Sequence, residues 1–501
     1  MFHVESSDVF YFLCVFRKAL TPKKKQNMAR KAQLQRVFLL GYFCVLLGCF
    51  FFPPNLATLQ RVNLIVSFTI KVDYYVSLLG DDSNVGTSKA SAWQSIARVN
   101  AAPLLPGDSV LFQANQTFLG NLRLAAKNID RVDKPITIGS YGSGRATIDA
   151  RSGTGCIVKN MGGVHLRELN FVGAGVSENT NAGIMFLNTL SGGIKLGDIR
   201  IHCVDVSGFH DSGIDFVAEP TDRSWSGFCD VRITNTTSHD NGDAGINCIG
   251  TWNPERDGYA HADFYVGNCS VYRNAGIPGK GSHSGNGIVL GQVDGALIER
   301  CRAYENGRLN DYEGGGPVGI WVWDANQVVI QFNESHHNRT GSSKDGGGFD
   351  LDGGVRNSTV QYNYSHDNDG PGYLLAQFSG ARAFYGNTLR HNVSVNDSRK
   401  NCYGGIHLWS TGANGGITDT TFYANTIFTT QSVDGNPAAV DCTSEGIRNI
   451  RFSNNHFHTN GEAALVRAKT NPNTLFQDNT LDTDCQFPRF SIGSVIRFHT
   501  E

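Results

Sequence analysis

The sequence predicts an all-β fold in which a single chain winds into a parallel solenoid. Three observations support this: two types of short strand recur, their connections vary most in length on one side, and helical periodicity is almost absent. Composition agrees, since the 501 residues include 58 glycines, 14 prolines and 4 methionines. A sandwich would need hairpin turns at intervals of roughly 8–12 residues, which the repeats do not show.

The N-terminus has the pattern of a targeting segment. Arg30, Lys31 and Arg36 precede an apolar run over 37–52 that ends at two prolines. This run is shorter than the ~20 residues that a spanning helix needs, so it predicts a cleaved secretory signal or a signal anchor. We therefore expect a secreted or extracytoplasmic monomer, attached to a membrane only through this segment if it stays uncleaved.

The sequence predicts a capping helix and divides the chain into five regions. A short amphipathic helix with Ser91 as its N-cap is expected to run through Trp93, Ile96 and Val99 and to cover the first coil. The predicted regions are 1–57 (extension and signal), 58–71 (linker), 72–164 (cap and first coils), 165–485 (repeats) and 486–501 (tail).

The first strand type alternates apolar and polar residues and ends in asparagine. The final residues are Asn241, Asn274, Asn306, Asn338, Asn368 and Asn392, and a second column five residues earlier consists of Thr236, Cys269, Cys301, Asn333, Asn363 and Asn387. Small or polar side chains in register are expected at a solenoid corner, where amides hydrogen-bond from coil to coil. Cys269 and Cys301 would lie on adjacent coils, either as an inert thiol stack or as a disulfide.

The second strand type begins with glycine and a large apolar residue. Its first residues are Gly183, Gly213, Gly245, Gly287, Gly319, Gly348, Gly372 and Gly405. The first and third residues after each glycine are mostly apolar, so they should face the core, while the second and fourth face outward. The preceding connection varies from four residues before Gly245 to thirteen before Gly319, which is typical of a solenoid with a functional face.

The outward positions of the second strand type form an aromatic and acidic stripe. The first column reads Asp215, Asn247, Val289, Trp321, Asp350, Leu374 and His407, and the second reads Val217, Ile249, Gly291, Trp323, Asp352, Ala376 and Trp409. Because neighbouring strands lie ~4.8 Å apart, Trp321 should lie beside Asp350, and Trp323 beside Asp352. Either this face is open as a groove, or the long loops fold over it and bury the tryptophans.

A column of rings precedes the corner asparagines by two residues. It contains His239, Tyr272, Tyr304, His336 and His366. We expect stacked side chains beside a turn, with a metal site or a second groove edge as the alternatives. No spacing of the zinc-binding kind supports a metal there.

Charge and cysteine content exclude other function classes. The formal charge is −2, but residues 1–36 carry a surplus of positive charge, so the remainder is acidic. An acidic body predicts no nucleic-acid partner. Nine of the 12 cysteines follow the apolar run, and an odd number without a CxxC pattern predicts neither a zinc site nor a dense disulfide framework.

The start of the body resembles the N-terminal part of known β-helix enzymes. The residues that carry this resemblance are Tyr75-Val76-Ser77, Gly80, Asp82-Ser83, Gly86-Thr87, Trp93-Gln94-Ser95-Ile96 and Pro106-Gly107-Asp108. Together with the asparagine-cornered coils they resemble the right-handed parallel β-helix proteins of the pectate-lyase-like superfamily. The resemblance implies a secreted protein that acts on polysaccharides, with a helix capping the solenoid. Lyases, hydrolases, epimerases and adhesins share this fold, so the reaction stays open.

Asp350 and Asp352 are the candidate centre of the stripe, with His407 as a third catalytic candidate. The two aspartates fit a general acid/base pair, calcium ligands that neutralise a uronate for a lyase, or structural residues at a turn. Calcium is the one cofactor considered. Trp321, Trp323 and Trp409 would stack on sugar rings, and the flanking loops supply substrate-binding candidates in Lys344, Lys400 and Glu313. The hypothesis is a carbohydrate lyase or glycoside hydrolase with a polysaccharide substrate; the alternative is a non-catalytic glycan-binding or adhesion protein.

Overall fold

The computed structural model describes residues 71–125, 134–412, 415–469 and 473–483, which all lie in the compact unit Lys71–Glu501. The apolar run 37–52 and the tail 486–501 fall outside the described residues, as does most of the predicted linker. Among the described residues, no helix is long and apolar enough to cross a membrane. The region boundaries and the cellular location stay predictions.

The chain forms a parallel β-solenoid with three long sheets, named here sheets 1, 2 and 3 in the order in which each coil visits them. All registered strand pairs are parallel, as the repeats predicted. Among the described residues, sheet 3 has 12 strands, which corresponds to about twelve turns. The predicted right-handed single-stranded β-helix is confirmed as the fold, since parallel crossovers of this kind are right-handed in nearly all proteins.

The strands of sheet 1 open each coil. They are Asp73–Val76, Ser109–Gln113, Ile136–Tyr141, Val164–Arg167, Ile199–His202, Gly227–Thr234, His261–Gly267, Val293–Glu299, Asn326–Gln331, Thr359–Gln361, Thr388–Arg390, Ile417–Tyr423, Ile447–Ser453 and Leu475–Gln477, with Lys195–Leu196 and Phe384–Tyr385 paired at the side. Sheet 2 follows after a sharp corner. Its strands are Thr117–Leu119, Ala146–Arg151, Leu169–Gly173, Asp205–Ser207, Thr237–His239, Ser270–Tyr272, Arg302–Tyr304, Glu334–His336, Tyr364–His366, Val393–Val395, Thr426–Thr430, His456–Asn460 and Thr480–Thr483.

Sheet 3 contains the glycine-led strands. They are Leu122–Ala125, Cys156–Lys159, Ile184–Asn188, Ile214–Ala218, Ala244–Ile249, Asn286–Gly291, Val318–Trp323, Gly347–Asp352, Tyr373–Gln377, Gly404–Ser410, Ala438–Cys442 and Ala464–Ala468. A small side sheet pairs Lys400–Asn401 with Asp434–Gly435. The register confirms the predicted stripe: Trp321 pairs with Asp350 and Trp323 with Asp352.

A single core runs through the coils and is built by the inward positions of all three sheets. Phenylalanine rings stack from coil to coil, as Phe186 and Phe216 do with 4.9 Å between ring centroids. Burying such side chains contributes roughly 1.5–3 kcal/mol each, which is why the alternation of apolar residues fixes the register of every coil.

Two asparagine ladders hold the corners of sheet 2. In one, the Nδ2 atoms of Asn241, Asn274, Asn306 and Asn338 each donate to the next Oδ1 at 2.9–3.1 Å. The predicted placement of Asn392 and Asn387 is wrong by one corner. Asn392 continues the other ladder, accepting from Asn363, and the position after Asn368 belongs to Asp397. The asparagines of the two corners lie five residues apart and look alike in sequence, so the match slipped from one to the other.

Two further expectations about the coils have clear outcomes. Cys269 and Cys301 are free and buried, so the thiol stack is the correct alternative and the disulfide is wrong. The capping helix exists over Ile96–Asn100, but its N-cap is Ser95, whose side chain accepts from the Arg98 backbone N–H. Ser91 instead ends a 3-10 turn over Lys89–Ser91. The Asp82 carboxylate binds the Ser95 backbone N–H and hydroxyl, which holds the chain extended until that residue.

Candidate active site

A cavity of about 840 Å³ lies on the outward face of sheet 3, over the strands that contain the predicted stripe. The loops before the glycine-led strands form one side of the cavity. These connections are long enough to project above the surface of the sheet. The side chains that the following paragraphs use are His283, Trp321, Trp323, Lys344, Asp345, Asp350, Asp352, Phe378, Tyr403, His407, Trp409 and Asp441.

The structure brings most of the predicted site residues together in this cavity. The three tryptophans, both aspartates, His407 and Lys344 all line it. Lys400 and Glu313 do not. The Lys400 Nζ donates to the Thr340 carbonyl at 2.9 Å, and the Glu313 carboxylate is bonded to Ser343 in the loop. Their predicted contact with substrate therefore has no support from their positions.

Asp350 and Asp352 are not the solvated turn residues of the structural alternative. Asp350 is only 4% exposed, and its Oδ1 is buried without a hydrogen-bond partner among the described residues. Burial, and then the charge of Asp352, raises its pKa well above the usual range. Asp352 accepts from the Gly353 N–H at 2.7 Å, and burial raises its pKa to about 7. A carboxyl whose pKa lies near 7, such as that of Asp352, is expected where proton transfer takes place.

Asp345 is a third carboxylate of the cavity, and the sequence analysis missed it. It ends the loop before the strand Gly347–Asp352. Its Oδ1 accepts from the Tyr403 hydroxyl at 3.0 Å and its Oδ2 from the Gly316 N–H at 2.9 Å. A Cβ at Gly316 would collide with the Lys344 carbonyl, so glycine permits this close approach. Two donors therefore hold the Asp345 carboxylate in place at the wall of the cavity.

Trp321 is buried, so the burial alternative holds for this side chain. It is 3% exposed, its Nε1 donates to the Asn286 Oδ1 at 3.0 Å, and the His283 ring meets it edge-on at 5.1 Å. Loop residues cover the first outward column, which is the burial alternative. The second column is more open, because Trp323 is half-buried and Trp409 is 42% exposed. These two indole rings remain available to a ligand.

His407 lies on the strand Gly404–Ser410, lines the cavity and is buried. Burial lowers its pKa despite the Asp441 carboxylate 4.0 Å away, so the ring is neutral at pH 7. Asp441 is itself paired with Arg467 at 2.9 Å. The Tyr403 ring packs edge-on against His407 with 5.0 Å between centroids. His407 thus supports the Tyr403 side of the cavity rather than facing a free carboxylate.

The predicted ring column on sheet 2 is a stack. Consecutive rings from His239 to His366 lie 4.7–5.0 Å apart and nearly parallel. In the described part of the chain, the only group of three or more side-chain ligands within 4.8 Å is His336, His337 and His366. Asp350 and Asp352 therefore have no third side-chain ligand of this kind beside them, and calcium at that pair stays a prediction.

Comparisons with known proteins agree with this fold. A family described as the right handed beta helix region matches residues 224–427. A lacto-N-biosidase of Bifidobacterium longum subsp. longum is 26% identical over 447 residues, which cover 70% of this chain and 27% of that protein. The matched part is thus about a quarter of the relative's length.

Comparison with solved structures also supports the β-helix fold. A GH136 lacto-N-biosidase from Eubacterium ramulus aligns with a TM-score of 0.58 and 19% identity over 82% of this chain and 68% of that chain. A pectate lyase aligns with 17% identity over 81% of this chain and 80% of that chain, at a lower TM-score of 0.43. The predicted right-handed parallel β-helix is therefore confirmed as the fold.

Proposed function

We propose that this right-handed parallel β-helix protein is a glycoside hydrolase, with Asp352 as general acid and Asp345 as the partner carboxylate. One observation carries the proposal: the cavity holds carboxyl groups in opposite environments. The Asp345 carboxylate accepts hydrogen bonds from the Tyr403 hydroxyl and the Gly316 N–H, whereas burial raises the pKa of Asp352 to about 7. Glycosidases use two carboxyl groups in different environments, one as proton donor and the other as nucleophile or base. The relatives named lacto-N-biosidase support a carbohydrate substrate.

The division of labour follows from these environments. Asp352 would protonate the oxygen of the leaving sugar, and Asp345 would act on the opposite face as nucleophile or as base for water. Burial raises the pKa of Asp350 well above its usual range, and its unpartnered Oδ1 would bind a polar group of the sugar. Trp323 and Trp409 would contact the apolar faces of sugar rings.

A lyase reaction fits these residues less well. It needs a base for the C5 proton and positive charge for the uronate carboxylate. Lys344 is the one Lys or Arg side chain among the described residues that line the cavity, against four aspartates: Asp345, Asp350, Asp352 and Asp441. Calcium would be needed to reverse this balance, and calcium dependence would appear as activity lost on chelation.

The test is a set of single carboxylate variants on one substrate panel. Asp352→Asn and Asp345→Asn should each lower turnover by at least about a hundredfold, because each removes a proton-transfer or nucleophilic group. The panel includes a chromogenic lacto-N-bioside and longer oligosaccharides that end in the same sugar unit. Each reaction is assayed for new reducing ends and for unsaturated uronate products.

Asp434→Asn is the matched control, since this carboxylate is exposed and lies outside the cavity. Circular dichroism would verify that each variant keeps the fold. Wild-type turnover in the Asp352→Asn variant would refute the assignment of the acid. Glycan binding without any turnover by the wild type would favour the alternative, a non-catalytic glycan-binding or adhesion protein.

A further inference from the structure

We infer that Trp252 forms an additional sugar-binding subsite beyond the cavity, at the edge of sheet 3 where its strands end. This inference rests on the proposed function, because it extends the same glycan site by one sugar ring. Trp252 lies in the loop between the strands Ala244–Ile249 and His261–Gly267. It is outside the sequence-predicted stripe, which ends with the strands.

Trp252 continues the row of aromatic rings that begins inside the cavity. Its ring centroid lies 6.1 Å from that of Phe378, with the planes tilted by 59°. Phe378 lines the cavity together with Trp323 and Trp409. The indole is 37% exposed, so part of the ring is open to solvent. A ligand that fills the cavity and passes Phe378 would meet Trp252 next.

The loop that holds Trp252 is fixed by a buried arginine from a distant coil. Arg382 is 6% exposed, and its Nε donates to the Asp324 Oδ1 at 2.6 Å. Its Nη atoms donate to the backbone carbonyls of Asn253, Arg256 and Gly258 at 2.8–3.1 Å. The guanidinium thus binds both ends of the segment that directly follows Trp252.

Two aromatic rings also contact the Arg382 guanidinium. The Arg382 guanidinium lies 4.8 Å from the Tyr259 ring centroid and 5.4 Å from that of Trp225. Burying an ion pair costs desolvation energy that a well-packed apolar pair would avoid. The buried Arg382–Asp324 pair orders the loop that contains Trp252. An ordered loop binds a ligand without first losing conformational entropy.

The chemistry of the subsite favours a sugar ring over other ligands. A half-open indole plane beside a second aromatic ring suits the C–H face of a pyranose, which is flat and weakly apolar. The ring is continuous with a cavity that already has carboxylates for sugar hydroxyls. Trp252 is therefore assigned to binding, and Arg382 is a positioning residue that acts through the loop.

The test compares substrates that share one terminal disaccharide and differ in length. With a hexasaccharide, Trp252→Ala should raise KM about tenfold and leave kcat unchanged, which is the size expected for one stacked aromatic contact. With a trisaccharide, the same variant should behave like the wild type. Arg382→Lys should give the same length-dependent rise in KM, because a lysine cannot reach the three carbonyls together.

Tyr362→Ala is the matched control, since it removes a ring of similar exposure, 40%, from another part of the solenoid. It should change neither substrate's KM. An active wild type whose Trp252→Ala variant shows equal KM changes on both lengths, or none, overturns the subsite alone. A wild type that cleaves no oligosaccharide of the series overturns the proposed function and the subsite with it.

Discussion

Asp397 should make the solenoid less stable as pH rises, and Asp397→Asn should remove this effect. Asp397 is fully buried at a corner where the preceding coils have asparagine. Its Oδ1 accepts from the Asn368 side chain at 2.7 Å and its Oδ2 from the Ser394 hydroxyl at 2.6 Å. Burial raises its pKa to about 6, although these donors pull it down.

The size of the effect follows from the pKa difference. The folded pKa of about 6 exceeds the ordinary value of 3.8. A raised carboxyl pKa means that the folded state binds the proton more tightly than the unfolded state does. The stabilisation is complete below about pH 4 and is lost as pH rises through 6, and the loss amounts to about 3 kcal/mol.

An asparagine at position 397 would accept the same bond from Asn368 and donate to the Ser394 oxygen, as Asn338 does to the Ser335 oxygen. It has no charge to bury. Asp397→Asn should therefore match the wild type at about pH 4 and exceed its free energy of unfolding by about 3 kcal/mol at about pH 8.

Urea unfolding followed by tryptophan fluorescence at several pH values measures this difference directly. Comparing variant with wild type cancels the other titrating groups, provided the two unfold with the same denaturant dependence. Asp434→Asn, at an exposed position, should give a small difference that does not change with pH. The reasoning fails if Asp397→Asn is no more stable than the wild type at pH 8, or if the gap is the same at both pH values.

Three further outcomes are expected. As the proposed acid, Asp352 should give a turnover that falls as pH rises through about 7, and a wild-type pH–rate profile that is flat there would contradict its role. Tyr403→Phe removes a donor to the Asp345 carboxylate and an acceptor for its backbone N–H, and should lower turnover about tenfold; unaltered kinetics would show that these bonds are unimportant for turnover. Asn338→Ala breaks a buried ladder and should cost about 3 kcal/mol in urea unfolding, and a cost below about 1 kcal/mol would argue against the ladder's contribution.

Much of the fold was readable from the chain because its physics is local and repeated. Alternation with a period of two decides which side chains face the core, and a slip of one residue would expose a whole apolar column. This is why the pairing of Trp321 with Asp350 could be predicted without a structure. The slip that placed Asn392 on the wrong corner shows the limit, because two ladders of identical amides five residues apart cannot be told apart by pattern alone.

The candidate site was only half predictable. The strands supplied Asp350 and Asp352, but the loops supplied Asp345, and no periodicity fixes how a loop folds. Its contact with Tyr403 joins positions 58 residues apart in sequence. Loop packing also decided that Trp321 is buried while Trp409 is exposed.

The sequence by itself determined the solenoid, the face that holds the candidate site and the order of its side chains, because backbone alternation and corner amides act between neighbouring coils. The tertiary structure alone decided which of those side chains reach a ligand. Arg382 binds a carbonyl 129 residues away and thereby fixes the loop behind Trp252. Such contacts depend on how separate loops pack against each other, and no local pattern in the chain encodes that.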